Sequence, residues 1–382
     1  MGSAGLSVPP PEGAPLREQP NVGWRKSRED FSAVDIQPGR VTPRRDAQNS
    51  VAFLVRQRHG VVREKPCEIG EKPTRDYDAT SPDLRRDRRL GEAKAVSEAR
   101  FADGLRYRIE IPSVEGPAVF RAVLEEAKDR GVDVRRISQG SGVMMLTDGE
   151  ISEMADLGAG HGIEVSLFLG PRGSWDTGGQ SFAAGSAGGV ARGEAGVAAC
   201  LTEVRRGLGL GIRSFLVADV GVLALLGRMK RDGDLPESLV LKTSVLLPCA
   251  NPSTARALAD LGATTINVAT DLSPAELGEL RDACSAPLDV YVEVPDDQGG
   301  FVRYYEVPEI IRAAAPVYVK LGLRNAPNIY PSGLHLQDVA VRLGRERVRR
   351  AELVLRLVRE LAPELIEGRG ADRPSDLGVP EP

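Results

Sequence analysis

From Leu105 to Leu365 the chain alternates between two hydrophobic rhythms. Short runs of apolar and β-branched residues are each followed by a stretch in which apolar positions recur at helical spacing. The runs are Arg106–Pro112, Val132–Ser138, Ile163–Leu169, Arg213–Ala218, Leu239–Val245, Thr264–Ala269, Leu288–Val294 and Val317–Leu323. The helices predicted after them are Gly116–Arg130, Gly149–Gly160, Arg192–Leu208, Gly221–Arg231, Pro252–Leu261, Pro274–Ala283, Val307–Ala314 and Leu336–Leu361. Asn251-Pro252 and Ser273-Pro274 set a side-chain acceptor before a proline at the first helical position. Glycines such as Gly131 and Gly162 stand where a helix must stop before the next strand. Eight strand–helix units in one series predict an α/β fold, a (βα)₈ TIM barrel over residues 105–365. The alternative is an open doubly wound sheet. Its mark is a G-x-G-x-x-G turn after an early strand, and none stands there.

Residues 1–98 follow neither rhythm. Rich in Pro, Gly, Arg and Ser, they predict a disordered, low-complexity arm. Within it Ser50–Arg56 (SVAFLVR) is an apolar, strand-like run suited to cover a barrel face or bind a protein partner. Residues 366–382 read as a flexible tail.

Composition narrows the picture. Aromatic residues are only 4% of the chain, so the core must be aliphatic, as in a parallel sheet wrapped by helices. The net charge of −4 divides into +3 on the arm and −7 on the remainder. That balance gives no strong field for nucleic acid or an anionic membrane. The first twenty residues lack the apolar segment of a secretory signal, and no stretch is long and apolar enough to span a bilayer. Cys67, Cys200, Cys249 and Cys284 are dispersed, without zinc or iron–sulfur spacing. These features predict a cytoplasmic protein with buried free thiols, no cofactor and no metal site.

In such a barrel chemistry gathers at the C-terminal ends of the strands. Glu110 lies near the end of the first run, and Gln139 lies in the small turn Ser138–Gly142, whose amides suit an anion. Gly170–Gly193 is far longer than an ordinary connection and carries Arg172 and Trp175, the pattern of a lid. Asp219 precedes a helix and serves equally as an N-cap or a catalytic acid. Lys242 lies inside the fifth run, where a lysine is costly unless paired or functional; a Schiff base is one such use. Asn267 is a candidate barrel-lining residue. Glu293 is the first candidate for a general acid or base. Lys320, Arg324 and Asn325 offer cations and an amide to a carboxylate or phosphate.

Several of these segments are similar to peptidase family U32, the collagenase-like proteases. They are Gly211–Leu223 with its Asp219-Val220-Gly221, the helix Asn251–Asp260 followed by Leu261-Gly262-Ala263, Ser273–Leu277, the strand glutamate Glu293, and Val319–Arg324. The resemblance spans about residues 211–324 and implies a TIM barrel with Glu293, Lys320 and Arg324 near its site. The family's cysteines after that glutamate have no counterpart in Asp296–Gly300, so an iron–sulfur cluster is not implied. The function expected is a hydrolase acting on a peptide or a small anionic metabolite. The alternatives are a Schiff-base lyase using Lys242, and a non-catalytic barrel that binds a partner through its N-terminal arm.

Overall fold

The computed structural model describes residues 96–170 and 189–382, apart from 367, 369 and 372, all within one compact unit. The expectations for residues 1–95, including Ser50–Arg56, and for Arg172 and Trp175 of the long connection lie outside the described residues.

Strands and helices alternate as the two rhythms predict. They are β1 (Tyr107–Pro112), α1 (Pro117–Arg130), β2 (Val134–Gln139), α2 (Asp148–His161), β3 (Glu164–Phe168) and α3 (Gly193–Gly209). There follow β4 (Ser214–Val217), α4 (Val220–Arg231), β5 (Val240–Thr243), α5 (Pro252–Asp260) and β6 (Ile266–Asn267). The series ends with α6 (Pro274–Ala283), β7 (Leu288–Glu293), α7 (Val307–Ala314), β8 (Val317–Leu321) and α8 (Gln337–Leu361). All strand pairs are parallel, in the order β5-β4-β3-β2-β1-β8-β7-β6. The fold is a TIM barrel.

Local chemistry sets the helix ends. Asn251 Oδ1 accepts from Thr254 N at 2.9 Å, and Ser273 forms a capping box with Glu276. Gly131 and Gly162 end α1 and α2 in the left-handed conformation, at φ 63° and 65°.

The ring closes between β5 and β6 through a narrow seam. Thr243 N donates to Thr265 O at 3.0 Å and Thr264 N to Leu241 O at 2.8 Å. Side chains supply the rest: Thr264 Oγ1 accepts from Leu241 N, and Thr243 Oγ1 from Asn267 N. The predicted strand Thr264–Ala269 is thus only two residues long, because the hydroxyls of Thr264 and of Thr243 on β5 accept the amides that a ladder would give to carbonyls.

Outward strand positions such as Ile109, Ile111, Val165, Leu167, Phe215, Leu241, Val290 and Val319 form one aliphatic core with the helices. Cys200, Cys249 and Cys284 are buried and free, as their apolar settings predict. No described helix is long and apolar enough to cross a membrane.

The C-terminal segment departs from the flexible tail expected of residues 366–382. Leu377 and Val379 are buried with Phe101, Leu105 and Tyr318, closing the N-terminal face of the barrel. Asp376 pairs with Arg108 at 2.8 Å, and Gly378 N donates to Glu164 Oε2 at 3.2 Å. A Cβ at Gly378 would stand 2.7 Å from Arg213 O, so the backbone reaches Glu164 only as glycine. The segment is ordered because buried charges above it need partners.

Candidate functional site

The barrel interior is ionic. Inward strand positions, filled in most barrels by bulky branched residues, here carry Glu110, Arg136, Glu164, Lys242, Asp289 and Lys320, each at most 2% exposed. Three cations face three carboxylates.

At the N-terminal end Arg108 meets Asp103 and Asp376 at 2.9 and 2.8 Å, with its guanidinium 4.0 Å from the Phe101 ring centroid. Above it the Arg136 guanidinium lies 3.4 Å from the Tyr318 ring centroid. Arg136 reaches Glu164 at 2.7 Å, Asp289 at 3.1 Å and Glu110 at 3.4 Å. Lys242 Nζ donates to Glu110 at 2.5 Å and to Asp289 at 2.7 Å. Hydroxyls fill remaining acceptor positions: Ser138 donates to Glu110, Ser214 to Glu164 and Thr265 to Asp289.

Burial alone would raise the Glu110 pKa, but Lys242, Lys320 and Arg136 outweigh it and hold this carboxylate well below its usual range. Lys242 is pulled down to about 8 by burial, which Asp289 and Glu110 only partly offset. At neutral pH both groups are ionised.

Lys320 tops the column. Its Nζ donates to Asn267 Oδ1 at 2.9 Å, stands 3.4 Å from Glu110 and lies 4.2 Å from the Tyr291 ring centroid. Asn267 is oriented by the seam, donating from Nδ2 to Thr243 O at 2.9 Å. Across the mouth, Phe168, Leu216 and Ala218 of the β3 and β4 ends form a separate apolar cluster. The mouth therefore has a polar side at β6–β8 and an apolar side at β3–β4.

Of the sequence candidates, the structure gathers Glu110, Lys242, Asn267 and Lys320 into this one network. The other described candidates make local contacts. Gln139 spans its own turn, donating to Gly142 O and accepting from Gly142 N. The amides of Gly140 and Ser141 are taken by the Glu115 carboxylate, at 2.8 and 3.0 Å. Asp219 caps α4 through Val222 N and also accepts from Ala191 N. A register shift between Tyr291 and Glu293 turns Glu293 toward Tyr304 and Arg350. Its carboxylate accepts from Tyr304 Oη and from Arg324 N. Arg324 and Asn325 are exposed and bind Asp296.

Alternation along the strands carried a signal for further members of the network. Arg136, Glu164, Thr265 and Asp289 share the inward parity of Ser138, Ser166, Asn267 and Tyr291. Among the described residues no cluster of His, Cys, Asp and Glu has the arrangement to hold a metal ion.

No protein-family model matches the chain, and no curated protein is significantly similar in sequence. Solved structures share its architecture at low identity. The U32 peptidase Mk0906 aligns over 56% of this chain and 93% of its own, at 15% identity and a TM-score of 0.35. Orotidine 5'-monophosphate decarboxylase from Methanocaldococcus jannaschii aligns over 65% and 99%, at 12% identity and a TM-score of 0.38. The carboxyl transferase domain of Rhizobium etli pyruvate carboxylase aligns over 82% and 59%, at 14% identity and a TM-score of 0.41. Neither a family nor a chemistry passes from these proteins to this chain.

Proposed function

We propose that the protein is a barrel enzyme acting on a small anionic carbonyl compound at the C-terminal ends of β6, β7 and β8. Lys320 takes the negative charge that develops on a substrate oxygen. One observation carries this reading: Lys320 is the uppermost charge of the ionic column, and among the described residues its nearest acceptor is the neutral amide oxygen of Asn267 at 2.9 Å, with Glu110 farther off at 3.4 Å. A buried ammonium whose nearest partner is neutral, and whose carboxylate partner is shared with a closer lysine, is preorganised to meet an oxyanion. Lys242, by contrast, is saturated by two carboxylates. That arrangement opposes the Schiff-base alternative at Lys242, which needs an accessible, neutral amine.

The hydrolase reading implied by the U32 resemblance also requires a base to activate water. Both oxygens of Glu293 are already engaged by Tyr304 and Arg324. Loss of carbon dioxide from a carboxylate on the carbon next to a carbonyl breaks the carbon–carbon bond, passes its electron pair to the carbonyl oxygen as an enolate and needs no base, so Lys320 as oxyanion partner serves it and this chemistry is preferred.

The test is a thermal-shift screen of 2-oxo acids, sugar phosphates and short peptides against the wild-type protein and Lys320→Met. Binding to the folded state raises the melting temperature, by an amount that grows with the logarithm of ligand concentration over Kd. A 2-oxo acid or sugar phosphate should stabilise the wild type and leave Lys320→Met unmoved. A shift given only by peptides would favour the hydrolase, and one that survives Lys320→Met removes Lys320 from the site. Borohydride trapping on Lys242 with the binding compound would restore the lyase.

A further inference from the structure

Helix α8 lays an apolar stripe against the barrel and α1, through Ala340, Gly344, Val348, Ala351 and Val354. Arg347 sits within that stripe and is only 5% exposed. Its Nε and Nη1 are enclosed and have no hydrogen-bond acceptor.

Comparison with the other buried arginines makes this unusual. Arg108 and Arg136 meet carboxylates inside the barrel. Arg135 donates to Ala371 O, and Arg281 to Cys284 O and Ala286 O. Arg303 binds Thr270 O and Glu306. Some of their other nitrogens also lack an acceptor, but each of these arginines has at least one acceptor among the described residues.

The titratable groups facing Arg347 are Tyr330 from the β8–α8 connection, Tyr291 from β7, and the carboxylates of Glu115 and Glu293. None makes an ion pair with it among the described residues. The Glu115 carboxylate accepts the Gly140 and Ser141 amides, and Glu293 accepts from Tyr304 and Arg324. Desolvation pulls the Arg347 pKa down against the attraction of these groups. A buried charge without a direct partner costs several kcal/mol, and among the described residues no hydrogen bond to Nε or Nη1 offsets it.

We propose that Arg347 is the receptor for an anionic group, a carboxylate or a phosphate, entering at the corner between the β8–α8 connection and the β1–α1 turn. The flat guanidinium fork presents parallel N–H donors that match two oxygens of either group. The connection above it is pinned, with Tyr330 Oη bonded to Ser113 Oγ and Ser332 N donating to Ser141 Oγ at 2.8 Å. This second anion position does not depend on the Lys320 reading. If both hold, the substrate carries an anionic group in addition to its reacting carbonyl.

The test uses inorganic phosphate and malonate as probes, with calorimetric titration and thermal denaturation of wild type, Arg347→Met, Arg347→Lys and Lys320→Met. At least one probe should bind the wild type saturably at one site; which one does so separates phosphate from carboxylate. Binding should be lost in Arg347→Met, fall at least tenfold in Arg347→Lys, which keeps the charge without the fork, and persist in Lys320→Met. Without probe, Arg347→Met should melt above the wild type, because an unpaired buried charge has gone. Failure of both probes to bind the wild type, or binding retained in Arg347→Met, overturns the proposal. Binding lost only in Lys320→Met would assign the anion to Lys320 instead.

Discussion

Replacing Lys242 by methionine is the sharpest probe of the barrel interior. The ammonium stands 2.5 and 2.7 Å from two carboxylates, and all three side chains are fully buried. At an effective dielectric constant of about 20, each contact represents roughly 6 kcal/mol of Coulomb attraction. Much of that is offset in the intact network by the desolvation already incurred. Methionine removes the attraction while leaving Glu110 and Asp289 buried with one cation fewer. The expected loss is about 3–5 kcal/mol. With an m-value of about 3 kcal/mol per molar urea, the unfolding midpoint falls by roughly 1 M or more. Combining Lys242→Met with Glu110→Gln should recover part of the loss, because the carboxylate left short of a cation is removed too. A cost below about 1 kcal/mol, the range of exposed ion pairs, would refute the reasoning, since it would mean that water screens these carboxylates.

Two further predictions address the ends of the column. Glu110 has a folded-state pKa far below its usual 4.5, so its stabilisation is complete above that value and is lost as the pH falls through and below it. Urea midpoints measured from neutral pH downward should decline more steeply below about pH 4.5 in the wild type than in Glu110→Gln; equal slopes would contradict this. At the opposite face, Leu377→Ala should cost about 2–4 kcal/mol, read by chemical denaturation. A change within about 0.5 kcal/mol would indicate that the segment lies loose beneath the barrel.

Much of the fold was legible because its punctuation is local. Asn251, Ser273, Gly131 and Gly162 act through their own backbones, so residue type alone reveals the helix ends. The seam was not legible, since the strand at Ile266–Asn267 is shortened by hydroxyl bonds to residues more than twenty positions away. The ionic interior was half visible: Glu110, Lys242, Asn267 and Lys320 stand out as polar residues in apolar runs. Arg136 and Glu164 resemble solvent-facing positions until the sheet closes around them. Glu293 follows Tyr291 by two residues, and alternation aims both inward. The register shift that separates them is a tertiary event without a residue signature. Arg347 lies in a helix rich in arginines, where one charge on the inner stripe is easily lost among those on the outer face. The tail lacks periodicity and so predicts a loose segment, but its order comes from charges elsewhere in the chain.

The seam between β5 and β6 also bears on what fixes the girth of this cylinder. Elsewhere backbone ladders of two to five residue pairs bind neighbouring strands. At the seam there is one bridge, flanked by threonine hydroxyls and an asparagine amide. Lys242 belongs to that bridge and, from inside, ties β5 to β1 and β7 on the far side of the gap. Hoops of peptide hydrogen bonds are indifferent to which residues form them. A clasp of side chains is not, so the circumference of this barrel is under the control of individual codons.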